Sequence, residues 1–332
     1  MDVVKKACVI GGSGFVAAWI IKLLLEKGYV LNTTVRDPDN LKKIAHLEEL
    51  QSLGELTIFK ADLTDEASMN AAVEGCDVVF QVATPVNFAS EDPENDMIKP
   101  AIKGVLNVLN ACAKAKVKRV VLTSSAASVS INTLKGTGLV MNEDNWSDVE
   151  FLYTEKPPTW GYATSKALAE KAAWKFAKEN NIDLITVVPT LMAGPSLTHE
   201  VPSSIDLATS LLTGHEFLMN AMKGMQMTTG SISITHVEDV CRAHIYLAEK
   251  ESASGRYICA AVNTSVPELA KFLNKRYPQY NVPTEFGDFP SKAKLIMSSE
   301  KLISAGFSFK YGIEDVFDQT IEYLKSKSVL KN

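Results

Sequence analysis

The sequence predicts an α/β chain, a doubly wound parallel sheet followed by a smaller C-terminal lobe. Three observations point there. Over roughly the first 190 residues, short apolar runs alternate with segments of helical periodicity, the pattern of parallel strands covered by helices on both faces. A glycine cluster, GGSG at 11–14, stands between the first apolar run and the first helix. After Pro189 the alternation stops, so the rest of the chain does other work.

In order, KACVI (6–10) is the first strand and residues 14–27 the first helix. YVLNTTVR (29–36) is the second strand, and DNLKKIAHLEEL (39–50) places apolar residues at helical spacing. LTIFKAD (56–62), DVVFQVAT (77–84) and RVVLTSS (119–125) are further strands, separated by helices near 66–74 and 94–115. A helix over 162–179 and the strand IDLITVVP (182–189) close the series. Residues 190–230 are rich in Pro, Ser, Thr, Gly and Met, as loops and short helices would be. HVEDVCRAHIYLAEK (236–250) is an amphipathic helix, GRYICAA (255–261) one more strand, and the tail from Ser265 is helical with loops. This divides the chain into a domain over 1–189, rejoined by 231–262, and a lobe made of 190–230 and 263–332.

Composition removes several classes. With 332 residues, 46% hydrophobic and 22% charged, the chain resembles an average globular protein with a full core. A net charge of −5 opposes a polyanion partner. The densest basic run, KAKVKR at 114–119, is short and reads as a solvated turn before a strand, not a nucleic-acid patch. Five widely spaced cysteines without a CxxC suit reduced core thiols in a cytosol-like compartment. No His/Cys/Asp grouping has metal spacing, so no metal is expected. The longest apolar stretch, FVAAWIIKLLL, is broken by Lys22 and too short to span a bilayer. MDVVKKACVI carries an acid and runs straight into structure, unlike a signal peptide.

The glycine cluster has a chemical meaning in this position. In Gly11-Gly-Ser13-Gly14-Phe15-Val16-Ala17, glycines allow a tight turn and let backbone N–H groups approach a pyrophosphate. The helix N-terminus that follows favours its negative charge, and Ala17 permits close packing on the strand. A Rossmann-type dinucleotide site is expected here. An NAD enzyme commonly has an acid at the end of the second strand; here stands Arg36, followed by Asp37, with Lys42 and Lys43 on the next helix. Arg36 can pair bidentately with a 2′-phosphate and stack on adenine, and Lys43 can add a second positive charge, which favours NADP. The alternative is a surface arginine paired with Asp37. Asp62, ending the third strand, suits the adenine amino group, and Val82, Ala83, Thr84 and Pro85 would pass beneath the cofactor.

Tyr-x-x-x-Lys occurs three times, at Tyr162/Lys166, Tyr246/Lys250 and Tyr323/Lys327. A lysine four residues on shares the tyrosine's helix face and can stabilise the phenolate as a proton leaves. Tyr246/Lys250 ends an amphipathic helix, where Lys250 more simply serves the C-terminus, and Tyr323/Lys327 lies in the last ten residues on a helix with exposed lysines. Tyr162 alone starts a helix between the fifth and sixth strands, downstream of a strand ending in Thr123-Ser124-Ser125. In open α/β sheets ligands bind at that carboxyl edge. Ser125, Tyr162 and Lys166 form the expected catalytic set.

GGSGFVA, TVRDPDNLKK, FKADLTDE, VFQVATPVNFASEDPENDMIKPAIKG, LTSSAA, PPTWGYATSK and VPTLMAGPSL together resemble the plant branch of the extended short-chain dehydrogenase/reductases, over essentially the whole chain. That branch holds dihydroflavonol, cinnamoyl-CoA and anthocyanidin reductases. GMQM, SITHVEDVCRAH, EKESASGRYIC and NTSVPELAKFLNKRYPQY are most similar to the last group. The resemblance implies a monomeric cytosolic NADPH reductase that turns anthocyanidins into 2,3-cis-flavan-3-ols with two hydrides. It implies Ser125, Tyr162 and Lys166 as catalytic residues. To the cofactor it assigns Ser13 to Val16, Arg36, Lys43 and Val82 to Pro85; Gly11, Asp62, Leu63, Tyr162, Lys166 and Pro189 complete the cofactor set.

The chain also departs from its relatives. Ile10 opens the glycine loop where the family often has threonine, and Gln81 replaces a frequent histidine. Ser130 stands where dihydroflavonol reductases carry an asparagine against the flavonoid, which argues against that substrate. Ala163 replaces the proline usual after the catalytic tyrosine and is expected to loosen the helix start. On the substrate side, Met219, Met222, Met225 and Met227 either form an adaptable lid over a flat ligand or fill an irregular core. Trp160 is read as packing and His236 as a helix cap. Two other classes are considered, a non-redox isomerase holding NAD tightly, which Arg36 opposes, and a redox sensor, which would not need the Ser/Tyr/Lys set.

Overall fold

The computed structural model describes residues 5–88, 90–133 and 136–331. Twelve strands occur among them: β1 (Lys6–Ile10), β2 (Val30–Val35), β3 (Leu56–Lys60), β4 (Val78–Gln81), β5 (Arg119–Thr123), β6 (Leu139–Met141), β7 (Asp183–Pro189), β8 (Leu191–Ala193), β9 (Ile232–His236), β10 (Gly255–Cys259), β11 (Val262–Thr264) and β12 (Leu295–Met297). Seven make one parallel sheet in the order β10-β7-β5-β4-β1-β2-β3. The chain enters at β1, winds outward to β3, then returns to β4 on the other side of β1. Strand order therefore reverses between β1 and β4, where a crevice opens at the carboxyl edge.

Both faces of the sheet are apolar because successive strand residues are apolar and their side chains point to opposite faces. Ala7 and Val9 join a core with Leu31, Val121 and Ile185 beneath the helices Phe15–Glu26 and Val237–Glu249. Cys8 and Ile10 join the opposite core with Val79, Val120 and Leu184, beneath Lys99–Ala115 and Trp160–Asn180. A second unit surrounds the three-stranded sheet β11-β9-β8, whose Ile232 and Ile234 pack with Leu211, Met222, Leu269 and Phe317. Val237–Glu249 and β10 lie against the main sheet, whereas β9 and β11 pair with each other.

Several elements differ from their sequence outline. Strands expected over 77–84, 119–125 and 255–261 end at Gln81, Thr123 and Cys259. Their final residues keep a strand-like composition but run past the paired register toward the open edge, held by single bonds such as Ser124 N–H to the Val187 carbonyl (2.8 Å). The helix expected from 162 begins at Trp160, two residues earlier. Residues 190–230, expected as loops and short helices, contain β8 and the 14-residue helix Glu216–Thr229. β9 was not anticipated, because ISITH is a short run buried along its whole length.

Candidate active site

At the crevice, Gly11 has φ +93, and a Cβ built on it would lie 2.6 Å from that of Ala83. Gly12 is equally confined, since its Cβ would meet Thr33 Oγ1 at 2.3 Å. The backbone turn is held by Gly14 N–H donating to the Gly11 carbonyl (3.0 Å) and Gly12 N–H to the Thr34 carbonyl (2.9 Å). Ser13 and Gly14 are exposed, Phe15 is partly buried and Val16 is buried. Gly14 N-caps a 12-residue helix with no side-chain cap and no acid in its first turn. Its orphan N–H groups are therefore free to bind an anion. A pyrophosphate fits this cradle.

Arg36 is exposed directly after β2, and among the described residues no ion pair engages it. The alternative pairing with Asp37 is not formed; Asp37 Oδ1 instead accepts from Asp39 N–H at 3.1 Å. Lys43 is exposed on the facing helix, whose N-cap Asn40 accepts from the Lys43 N–H. Asp62 lies after β3, its carboxyl held below the usual range by hydrogen bonds from Thr64 and, further down, by the charge of Arg36. Leu63 packs against Gly104, where a Cβ would lie 3.1 Å from its own. Val82, Ala83, Thr84 and Pro85 are partly buried beyond β4, and Ala83 N–H reaches the Ile10 carbonyl at 3.1 Å. Pro189 is buried at the end of β7.

Ser125, Tyr162 and Lys166 converge beside this edge. Ser125 follows β5 and N-caps a single 3-10 turn, its Oγ accepting from Ala127 N–H at 3.2 Å. Tyr162 is partly buried in the first turn of the helix Trp160–Asn180, and burial pushes its phenol up from the ordinary value. The neighbouring Ser125 hydroxyl draws it back down. Lys166 is buried, its Nζ 5.9 Å from the Tyr162 ring centroid and 3.4 Å from the Thr123 carbonyl. Burial lowers the Lys166 ammonium to about 8, opposed by the Glu170 carboxylate. The set offers an acid, a neighbouring hydroxyl and a cation, as proton transfer to a reduced substrate requires.

The other two tyrosine–lysine pairs have the same local geometry, with Nζ–centroid distances of 5.6 Å for Tyr246/Lys250 and 5.7 Å for Tyr323/Lys327. Their surroundings differ. Tyr246 Oη donates to the Ala305 carbonyl at 2.7 Å, and Lys327 donates to the His199 carbonyl at 3.2 Å. Met222 is wholly buried and Met219 and Met225 pack against the second core, whereas Met227 is 63% exposed. His236 does cap a helix, its Nδ1 accepting from Glu238 N–H. Ser130 is buried with its hydroxyl donating to the Ala126 carbonyl at 2.9 Å.

Ala163 does not loosen the helix start. It is fully buried against Ile131 and Leu152, and its N–H donates to the Thr159 carbonyl at 3.2 Å. A proline could not make that bond. Three features escaped sequence reasoning. Gly161 admits Pro93, which a Cβ would meet at 2.3 Å. Phe88, 57% exposed, sets its ring 5.3 Å from that of Tyr162. Glu170 and Arg256 form a buried ion pair behind Ser125.

Comparisons agree with this geometry. A model of the NAD dependent epimerase/dehydratase family matches residues 7–260. An anthocyanidin reductase ((2S)-flavan-3-ol-forming) of Vitis vinifera is 73% identical over 99% of this chain and 97% of its own length. An anthocyanidin reductase of Arabidopsis thaliana is 62% identical over 98% of this chain and 96% of its own. The crystal structure of vestitone reductase from alfalfa superposes with a TM-score of 0.83 at 37% identity, covering 98% of this chain and 99% of that one. The chain thus belongs to the NAD dependent epimerase/dehydratase family, in the branch that holds the anthocyanidin reductases.

Proposed function

We propose that this chain is an NADPH-dependent reductase converting anthocyanidins such as cyanidin, pelargonidin and delphinidin to flavan-3-ols, a step of flavonoid biosynthesis. The observation that carries the reading is its nearly end-to-end identity to anthocyanidin reductases, 73% with the grape relative. The Ser125, Tyr162 and Lys166 grouping supplies chemistry suited to that reaction. Turning a flavylium cation into a flavan-3-ol takes up two hydrides and one proton, and bound NADPH supplies the hydrides. Tyr162 gives the proton, Ser125 holds the oxygen beside it, and the Lys166 ammonium offsets charge left on the phenolate. Arg36 and Lys43 recognise the 2′-phosphate, which favours NADPH over NADH. The proposal has the protein act as a monomer in the cytosol, consistent with five free, buried cysteines.

Dihydroflavonol 4-reductases are also relatives, the Arabidopsis thaliana one at 44% identity. Ser130 disfavours that substrate, because its hydroxyl is buried and turned to the Ala126 carbonyl. The test is incubation of purified protein with cyanidin and NADPH, followed by chiral chromatography. Two NADPH consumed per flavan-3-ol formed is the expected result. Turnover of dihydroquercetin with cyanidin left untouched would overturn it.

A further inference from the structure

Glu170 lies one helical turn beyond Lys166 and is 1% exposed. Five hydrogen bonds reach its carboxylate. Oε1 accepts from Arg256 Nε (2.7 Å) and Thr186 Oγ1 (2.8 Å). Oε2 accepts from Ser124 Oγ (2.5 Å), Ser128 Oγ (2.9 Å) and Arg256 Nη2 (3.2 Å). Ser124 and Ser128 bracket the turn that carries Ser125, so one carboxylate fixes both of its flanks.

Arg256, on the edge strand β10, is saturated in turn. Its Nη1 donates to the Glu143 and Asn145 carbonyls, each at 2.7 Å, and Nη2 also reaches Ser128 Oγ at 3.3 Å. Its guanidinium lies 3.6 Å from the Trp146 ring centroid. The stretch so clamped continues to Ser147, whose Oγ donates to the Ala127 carbonyl at 2.7 Å. A buried charge pair is retained at a cost that apolar residues would avoid. Here the paired carboxylate also sits one turn from a buried ammonium whose hydrogen bond among the described residues is the long 3.4 Å contact to the Thr123 carbonyl.

We propose that the Glu170–Arg256 pair is the positioning element of the reducing site: it holds the Ser125 turn and supplies the negative charge that keeps Lys166 an ammonium. The inference rests on the reductase reading above. Near Lys166 stand Tyr162 and Glu170 on its own helix, with Arg256 paired to Glu170; His244 lies across the sheet, its Nε2 2.8 Å from Thr123 Oγ1. His244 is held neutral by burial, its imidazole lowered to about 4, so it adds no charge near neutral pH.

The test reads Lys166 directly, by carbon-13 NMR titration of protein labelled at the lysine ε-carbons, with the signal assigned through Lys166→Arg. Glu170→Gln removes the anion and leaves the Arg256 cation, so the Lys166 midpoint falls by about one pH unit or more. Arg256→Met leaves the anion uncompensated, and the midpoint rises. For cyanidin reduction, kcat of Glu170→Gln at neutral pH falls about tenfold or more, while KM for NADPH stays within about twofold. Midpoints that stay put, or move the same way in both variants, overturn the proposal. A wild-type protein inactive on cyanidin would defeat the reductase reading alone, since the titration needs no substrate. If the single variants do not fold, Glu170→Leu with Arg256→Met replaces the pair by apolar groups, a change buried ion pairs often tolerate. That double variant is expected to fold with a lowered Lys166 midpoint and lowered kcat; wild-type values for both would overturn the proposal.

Discussion

Gly11 approaches Ala83 so closely that a Cβ on Gly11 would stand 2.6 Å from that of Ala83. This contact joins β1 to β4 where the strand order reverses, and Gly11 has φ +93 there. Gly11→Ala therefore meets a steric overlap and a left-handed backbone together, at a cost of about 1–3 kcal/mol. The chain relieves it by opening the crevice. Isothermal titration of the purified variant is expected to show NADPH affinity lowered about tenfold or more, with a lower Tm. Affinity equal to wild type would mean that the loop does not hold the cofactor.

Tyr162→Phe removes the proposed acid and leaves its packing. A positioned general acid contributes on the order of 10²–10⁴ in rate, so kcat for cyanidin should fall by that range, far more than NADPH affinity falls. Tyr246→Phe is the matched control. It loses one hydrogen bond to the Ala305 carbonyl, worth about 1 kcal/mol of stability, and kcat stays within about twofold of wild type. Equal loss of kcat in both variants would remove the special status of Tyr162.

That contrast also shows what the sequence carried. The three tyrosine–lysine pairs are the same object locally, and only their neighbours in chain order separate them. Strands were legible because buried parallel strands are nearly continuous apolar runs, as in Val120–Val121–Leu122. Their ends were less legible, because Val82 and Ala83 look like strand residues yet lie beyond the last paired residue, Gln81, with a single bond from Ala83 N–H to the Ile10 carbonyl continuing toward the edge. The Glu170–Arg256 pair could not be read at all. Its partners are 86 residues apart, and only the placement of β10 beside β7 brings them together. Ala163 was misjudged for a related reason: its burial against Ile131 and Leu152 is tertiary.

Arg36 has no ion-pair partner among the described residues, so its charge is available to a ligand. Arg36→Ala is expected to raise KM for NADPH about tenfold to a hundredfold, since a hydrogen bond to a charged group contributes about 1.5–3 kcal/mol. KM for NADH should change by less than about twofold. Equal effects on the two cofactors would assign Arg36 to adenine stacking and not to the 2′-phosphate.

The methionines divide between core and surface. Met222→Ala would empty a fully buried site in the second core and cost about 2–5 kcal/mol, readable as a lowered urea midpoint. Met227, 63% exposed, should tolerate Ser within about 0.5 kcal/mol. If Met227→Ser instead raised KM for cyanidin several-fold at unchanged stability, that end of the helix would be in contact with substrate.

Lys166 links activity to stability with a definite sign. Burial lowers its ammonium to about 8, whereas in the unfolded chain lysine titrates near its reference value of about 10.4. Between these values the unfolded chain binds more protons, so stability rises with pH across that window. Below about 8 both states are charged and the full cost of burying the ammonium is present, on the order of 3 kcal/mol. Lys166→Met removes the charge and keeps the stem. It is expected to be inactive on cyanidin yet more stable than wild type at neutral pH, by up to about that amount, with the gap closing as pH approaches about 10. In the wild type, kcat should decline as pH rises through about 8 and the cation is lost. Urea unfolding of both proteins at several pH values separates the outcomes. A Lys166→Met protein less stable than wild type at neutral pH would mean that the ammonium holds the fold together and is not a strained group kept for chemistry.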